Sequence, residues 1–146
     1  MDLDKAAHMA HTLMADYDLD FSGWTFAFDN AKRRCGQTRF STQRITLSRY
    51  YVNLNGESEV RDTILHEIAH AIAGPGHGHG ARWRTIARNV GATPKRCAEN
   101  AVMPEGKWRG SCSCGAASEA TRHRITKGTY FCRICGSDVT WLPNPS

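Results

Sequence analysis

The chain has 146 residues, 40% hydrophobic and 23% charged, with 19 Lys and Arg against 14 Asp and Glu for a net charge of +5. That length buries one sizeable core and carries one small appendage. No stretch approaches the ~20 apolar residues of a membrane span, and Met1-Asp2-Leu3-Asp4-Lys5 lacks the basic and apolar regions of a secretory leader, so a cytoplasmic protein is expected.

Asp4 to Tyr17 is the first predicted helix, with Leu3, Ala6, Ala7, Ala10, Leu13, Met14 and Tyr17 on or near its inner face. Phe21 to Phe28 reads as a strand with Trp24, Phe26 and Phe28 forming an aromatic face. Two shorter strands are expected around Thr38 to Phe40 and at Arg44 to Ser48. Tyr50 to Asn55 reads as a loop or short turn. From Glu57 to Ala73 the residues Val60, Ile64, Leu65, Ile68, Ala69 and Ile72 recur at helical spacing, Ser58 is a candidate N-cap, and Gly74-Pro75-Gly76 stops the helix. Ala81 to Val90 predicts another helix, with Trp83, Ile86, Ala87 and Val90 on one face and Gly91 just past its end. Thr93 to Gly106, with two prolines and few apolar residues, is the expected linker.

The strongest chemical signal is His66-Glu67-Ile68-Ala69-His70. Histidines at i and i+4 lie on one helix face, where both rings reach a single zinc ion, and the intervening glutamate stands beside the open coordination position as a general base toward water. A third protein ligand is needed. The longer HExxHxxGxxH pattern is excluded because Ala73 and Gly76 stand where it requires glycine and histidine, and no Asp or Glu occurs between Glu67 and Glu99. His77 and His79 remain. His79 is favoured because it adjoins the next helix, whereas His77 sits in the glycine-rich run and reads as a loop residue or a proton donor. Tyr50, Tyr51 and His77 are candidate donors to a developing oxyanion.

HEIAHA, a glycine-rich stretch, and then His79-Gly80-Ala81-Arg82-Trp83 together resemble the SprT/Spartan family of zinc metalloproteases. Trp24 to Gly36 followed by Ile45-Thr46-Leu47-Ser48 is similar to that family's small sheet. The resemblance implies an α+β, zincin-type domain: an N-terminal helix, a short three-stranded sheet, the HExxH helix and a following helix. It also implies proteolysis of DNA-bound or DNA-crosslinked proteins, promoted by DNA.

Six cysteines are present. Cys112-Ser113-Cys114 and Cys132-Arg133-Ile134-Cys135 are two knuckle-like pairs able to close a structural zinc site, with a disulfide pair or Cys97 as a substitute ligand being the alternatives. Cys35 and Cys97 read as partly buried thiols. The CxC spacing, Arg122-His123-Arg124 and Tyr130-Phe131-Cys132 also resemble the SprT ribbon. The expected organisation is a protease domain over 1–92, a linker over 93–106 and a zinc ribbon over 107–146, with two zinc ions per chain.

Charge is unevenly spread. Residues 1–80 hold 8 basic and 10 acidic side chains (−2), whereas residues 81–146 hold 11 and 4 (+7). Four thiolates on one zinc lower the second figure to about +5. Arg122, Arg124, Lys127 and Tyr130, with Phe131 and Trp141 near in sequence, combine phosphate-seeking charge with rings that stack on unpaired bases, so single-stranded DNA is an expected partner. In the competing view the rings fill the ribbon's core and the arginines are merely solvated. Lys32-Arg33-Arg34 with Arg39 and Arg44 is a second basic cluster. A monomer is expected, and three readings stand open: a DNA-directed zinc protease, nucleoid-associated when bound to DNA; a zinc protease indifferent to DNA; and a non-catalytic, zinc-containing DNA-binding protein.

Overall fold

The Asp2 carboxylate accepts from the Lys5 N–H at 3.0 Å and so starts helix α1 (Leu3–Asp16), which buries Ala6, Ala10, Leu13 and Met14. These contacts come from a computed structural model that describes residues 1–95, 101–126 and 128–145. Asp18 and Gly23, both at positive φ, turn the chain back before strand β1 (Thr25–Asp29), leaving Phe21 92% exposed outside the strand predicted to begin there. Strand β2 (Gly36–Arg39) and strand β3 (Arg44–Ser48) follow.

The sheet order is β1-β3-β2, with β1 parallel and β2 antiparallel to β3. Strand β3 is central, and Ile45, Thr46, Leu47 and Ser48 are all buried. Ser48 caps helix α2 (Arg49–Leu54), replacing the loop expected at Tyr50 to Asn55. The hydroxyl that ends the strand accepts from the Tyr51 N–H and so begins a helix at once.

Helix α3 (Glu57–Ala73) is capped by Gly56 with no side-chain bond, so Ser58 lies inside it rather than at its cap. It buries Val60, Ile64, Leu65, Ile68 and Ala69 in the same core as β3 and α1. Arg82 donates to the Ala73 carbonyl at 2.9 Å and covers the end of α3. Helix α4 (Ala81–Val90) ends at Gly91 in the left-handed conformation.

Two compact units are present, Met1–Pro104 and Glu105–Ser146. The stretch expected as a linker is divided between them. On the first unit's side, Thr93 N–H donates to Asp62 at 2.7 Å, and the buried Asn55 side chain bonds both the N–H and the C=O of Val102.

In the second unit, β4 (Trp108–Ser111) pairs antiparallel with β5 (Thr121–Arg122) on one side and β6 (Thr140–Pro143) on the other. Its buried apolar side chains among the described residues are Ala117 and Cys132. Among the described residues, no helix is long and apolar enough to cross a membrane. Cys97 and Lys127 lie outside the described residues.

Candidate metal centre and its surroundings

The i, i+4 spacing on α3 puts His66 and His70 side by side, and the run Gly74–Gly80 folds back to bring in the third ring. Gly74, Gly76 and Gly78 all adopt positive φ, which gives this short loop its reversal. The Nε2 atoms of His66, His70 and His79 form a triangle with edges of 3.3, 3.1 and 3.0 Å. Three imidazole nitrogens facing one another cannot all donate and accept along three edges, so this cluster is suited to holding a metal ion. His77 is exposed and outside it.

Trp83 lies beneath the triangle, fully buried, its ring centroid 4.6, 5.2 and 4.6 Å from those of His66, His70 and His79. Its Nε1–H donates to the His66 carbonyl at 3.3 Å. Burial, followed by the charges of His70 and His79, pushes His66 down to about 3. Burial and the charge of His79 push His70 down to about 4. Both rings are therefore neutral at ordinary pH, the form that ligates metal.

Glu67 is 6% exposed and points away from the helix core toward β2. Thr38 Oγ1 is 2.7 Å from its Oε2 and 3.0 Å from its backbone carbonyl. Burial raises Glu67 to about 7, while the Thr38 bond and the Arg34 charge pull against that rise. A cavity of about 910 Å³ opens on the three histidines and Glu67, walled by Cys35, Phe40, Asp62 and Met103.

Tyr51, a candidate oxyanion donor, is corrected by this arrangement. It is completely buried, and its hydroxyl is committed to the Glu59 carbonyl at 2.9 Å and to Thr63 Oγ1 at 2.8 Å. Burial pushes it up to about 12. Thr38 escaped the sequence reading, as did the part played by Trp83. The alternation of Gly36 and Thr38 and the placement of Trp83 four residues after His79 were the available signals.

In the second unit Cys112, Cys114, Cys132 and Cys135 converge, with Sγ separations of 3.6 Å for Cys112–Cys114 and 3.7 Å for Cys114–Cys132. These distances are far beyond the ~2.05 Å of a disulfide. The Ala117 N–H leads the causes that lower Cys112, and the Ser137 hydroxyl leads those that lower Cys135 to about 6. At Cys114 the Ala116 N–H pulls downward but is outweighed by the neighbouring thiols and partial burial, which leave it at about 11. Four thiolates this close repel one another unless a cation sits among them, so this group too is able to hold a metal ion.

The basic residues of the ribbon do not behave alike. The Arg122 guanidinium lies over the rings of Tyr130 at 4.9 Å and Trp141 at 5.4 Å, and those two rings meet edge to face at 5.5 Å. Arg124 is exposed, as is Phe131 at 64%. In the first unit Arg34 pairs with Asp29 at 2.9 Å, Lys32 lies 5.6 Å over the Tyr50 ring and Arg33 lines the cavity.

Against known proteins, the model of the SprT-like family matches residues 6–102. Protein SprT of Pseudomonas paraeruginosa and Protein SprT of Pseudomonas aeruginosa are each 33% identical to the chain over 101 residues, covering 60% of this chain and 61% of the relative. The chain thus spans about three fifths of the length of these relatives. The family match runs from α1 through the histidine cluster to the Val102 anchor, about two thirds of the sequence, and on that ground the chain belongs to the SprT-like family.

Proposed function

We propose that the chain is a zinc-dependent endopeptidase, with one zinc on His66, His70 and His79 and a second, structural one on the four cysteines, and that it cleaves proteins bound to or crosslinked to DNA. The observation that carries this reading is the buried Glu67 carboxyl, which shares one open cavity with three converging histidines. A protein that used the histidines only to stabilise its fold would have no need of a buried, partly desolvated carboxyl beside them.

Donor geometry supports zinc at both places. Bonds of about 2.0–2.1 Å in a tetrahedron set nitrogens about 3.3 Å apart, and Zn–S bonds of about 2.3 Å set sulfurs about 3.8 Å apart. The nitrogen edges are 3.0–3.3 Å and the sulfur separations 3.6 and 3.7 Å. Zinc would supply a Lewis acid that polarises a scissile carbonyl and acidifies water at the open position. Glu67 receives a proton from the attacking water and delivers it to the departing amine. His66, His70 and His79 keep their nitrogens directed at one point, and Trp83 blocks their retreat into the core. Phe40 and Met103 give the cavity apolar walls that exclude bulk water from a bound peptide.

DNA as partner rests on the basic ribbon, with Arg124 exposed, Arg122 and Tyr130 side by side, and Lys127 completing the set in sequence. A second reading, a zinc protease indifferent to DNA, is favoured by one observation: Arg122 already has two aromatic faces to pack on within its own unit. The deciding experiment incubates the full chain with a DNA-binding protein in the presence of single-stranded DNA, duplex DNA or neither. Cleavage that a chelator abolishes and single-stranded DNA accelerates is expected. Equal cleavage in all three conditions gives the second reading, and no cleavage in any overturns the protease itself.

A further inference from the structure

Strand β2 does more than close the sheet. Gly36 and Thr38, two residues apart, share one face of the strand, and that face meets Glu67. A Cβ built on Gly36 would lie 3.1 Å from Glu67 Cγ, 2.9 Å from Leu47 Cδ2 and 3.0 Å from the Thr46 carbonyl oxygen. The carboxylate arm is thus laid directly against the strand backbone, and the Thr38 hydroxyl sits at its tip, 2.7 Å from Oε2. That hydroxyl is also 3.0 Å from the Glu67 carbonyl oxygen, so the same atom touches both ends of the residue.

We propose that Thr38 is a positioning residue that fixes the Glu67 side chain against β2, holding one carboxylate oxygen so that the other is presented to the cavity. This inference rests on the reading of Glu67 as the proton carrier. One hydroxyl suits both forms of such a carrier: it donates to the carboxylate, or accepts from the carboxylic acid while donating to the carbonyl. With an apolar side chain at residue 38, the arm keeps its van der Waals contact with Gly36 and loses the bond that selects one rotamer.

The test compares Thr38→Val, nearly isosteric and without the hydroxyl, with Thr38→Ser, which restores it, in the full chain. On a protein substrate, T38V lowers kcat about 10- to 100-fold, as removal of supporting partners does elsewhere, with KM and bound zinc at wild-type values. T38S recovers most of the loss. In metal-free protein, the side-chain carboxyl carbon resonance of Glu67, assigned by its disappearance in E67Q, moves in T38V and stays in T38S. Wild-type kcat in T38V, or an unmoved resonance, overturns the positioning role. Should T38V lose zinc or unfold, the resonance in T38S against wild type still decides, because a role that is only packing shifts it by removal of the methyl alone. An inactive wild type defeats the protease reading instead, and the resonance then tests the hydrogen bond by itself.

Discussion

At the scale of single residues, the proposed site divides between groups able to hold a metal ion or carry a proton and groups that hold those in place. Glu67 is not a member of the histidine cluster, so Glu67→Gln is expected to leave bound zinc unchanged while abolishing peptidolysis, checked by metal analysis beside a cleavage assay. Trp83 acts from beneath. Replacing it with Ala removes a fully buried indole and costs about 3–5 kcal/mol, whereas Trp83→Phe keeps a ring but loses the bond to the His66 carbonyl, and weaker zinc retention against a competing chelator is expected. Acid has a defined effect on the metal-free protein. His66 and His70 sit near 3 and 4 in the folded chain against an ordinary 6.5, so below about 6.5 the unfolded chain binds protons that the folded one refuses, and stability falls as pH drops. Glu67 opposes this between its folded value of about 7 and its ordinary 4.5, where the folded chain is the better proton binder. A shallow decline in melting temperature from pH 6.5 to 4.5, a steeper one from 4.5 to about 4, and a levelling below about 3, where both histidines are protonated in the folded chain as well, are expected in thermal scans with chelator present.

At the scale of elements, the cavity depends on how irregular segments are tied to helices. Asn55 closes α2 and, through both ends of its amide, clamps Val102 beside the cavity-lining Ala101 and Met103. Asn55→Ala removes the partner of both part-buried Val102 backbone groups, at a cost of about 1 kcal/mol per bond, and faster amide exchange at Val102 than in wild type is the expected signature. The elements legible in the sequence were those whose signals are local. HEIAH needs only helical spacing, and Gly91 announces the end of α4 by its own conformational freedom. Helix α2 was missed because Ser48 ends a strand and caps a helix with the same side chain, so neither boundary stands apart. Phe21 looked like the first of an alternating series, yet the turn at Asp18 and Gly23 sets it outside β1. Thr38 carried only its alternation with Gly36 as a signal, since its meeting with Glu67 joins residues 29 positions apart through sheet order rather than spacing.

At the scale of the whole molecule, the two units rely on different means of cohesion. The first has a continuous core running from Ala6 to Ala92, whereas the second buries Ala117 and Cys132 and leaves Phe131, Ile134 and Leu142 in solvent. Stripping metal is therefore expected to release residues 105–146 to rapid hydrogen exchange while the core of residues 1–104 keeps its protection. Equal protection in both units after chelation would show that the ribbon needs no ion.

Strand order also bears on the time at which the surroundings of Glu67 can form. Because β3 lies between β1 and β2, the two earlier strands have nothing to pair with until residues 44–48 have been made. The β2–β3 hairpin is the local pairing and the β1–β3 contact the distant one, so a ribosome must release the third strand before either forms. The HEIAH helix follows it, after the short helix α2. Until β3 has been made and has paired with β2, the strand face that meets Glu67 does not exist, so the surroundings of this carboxyl form only with the completed sheet and not by degrees.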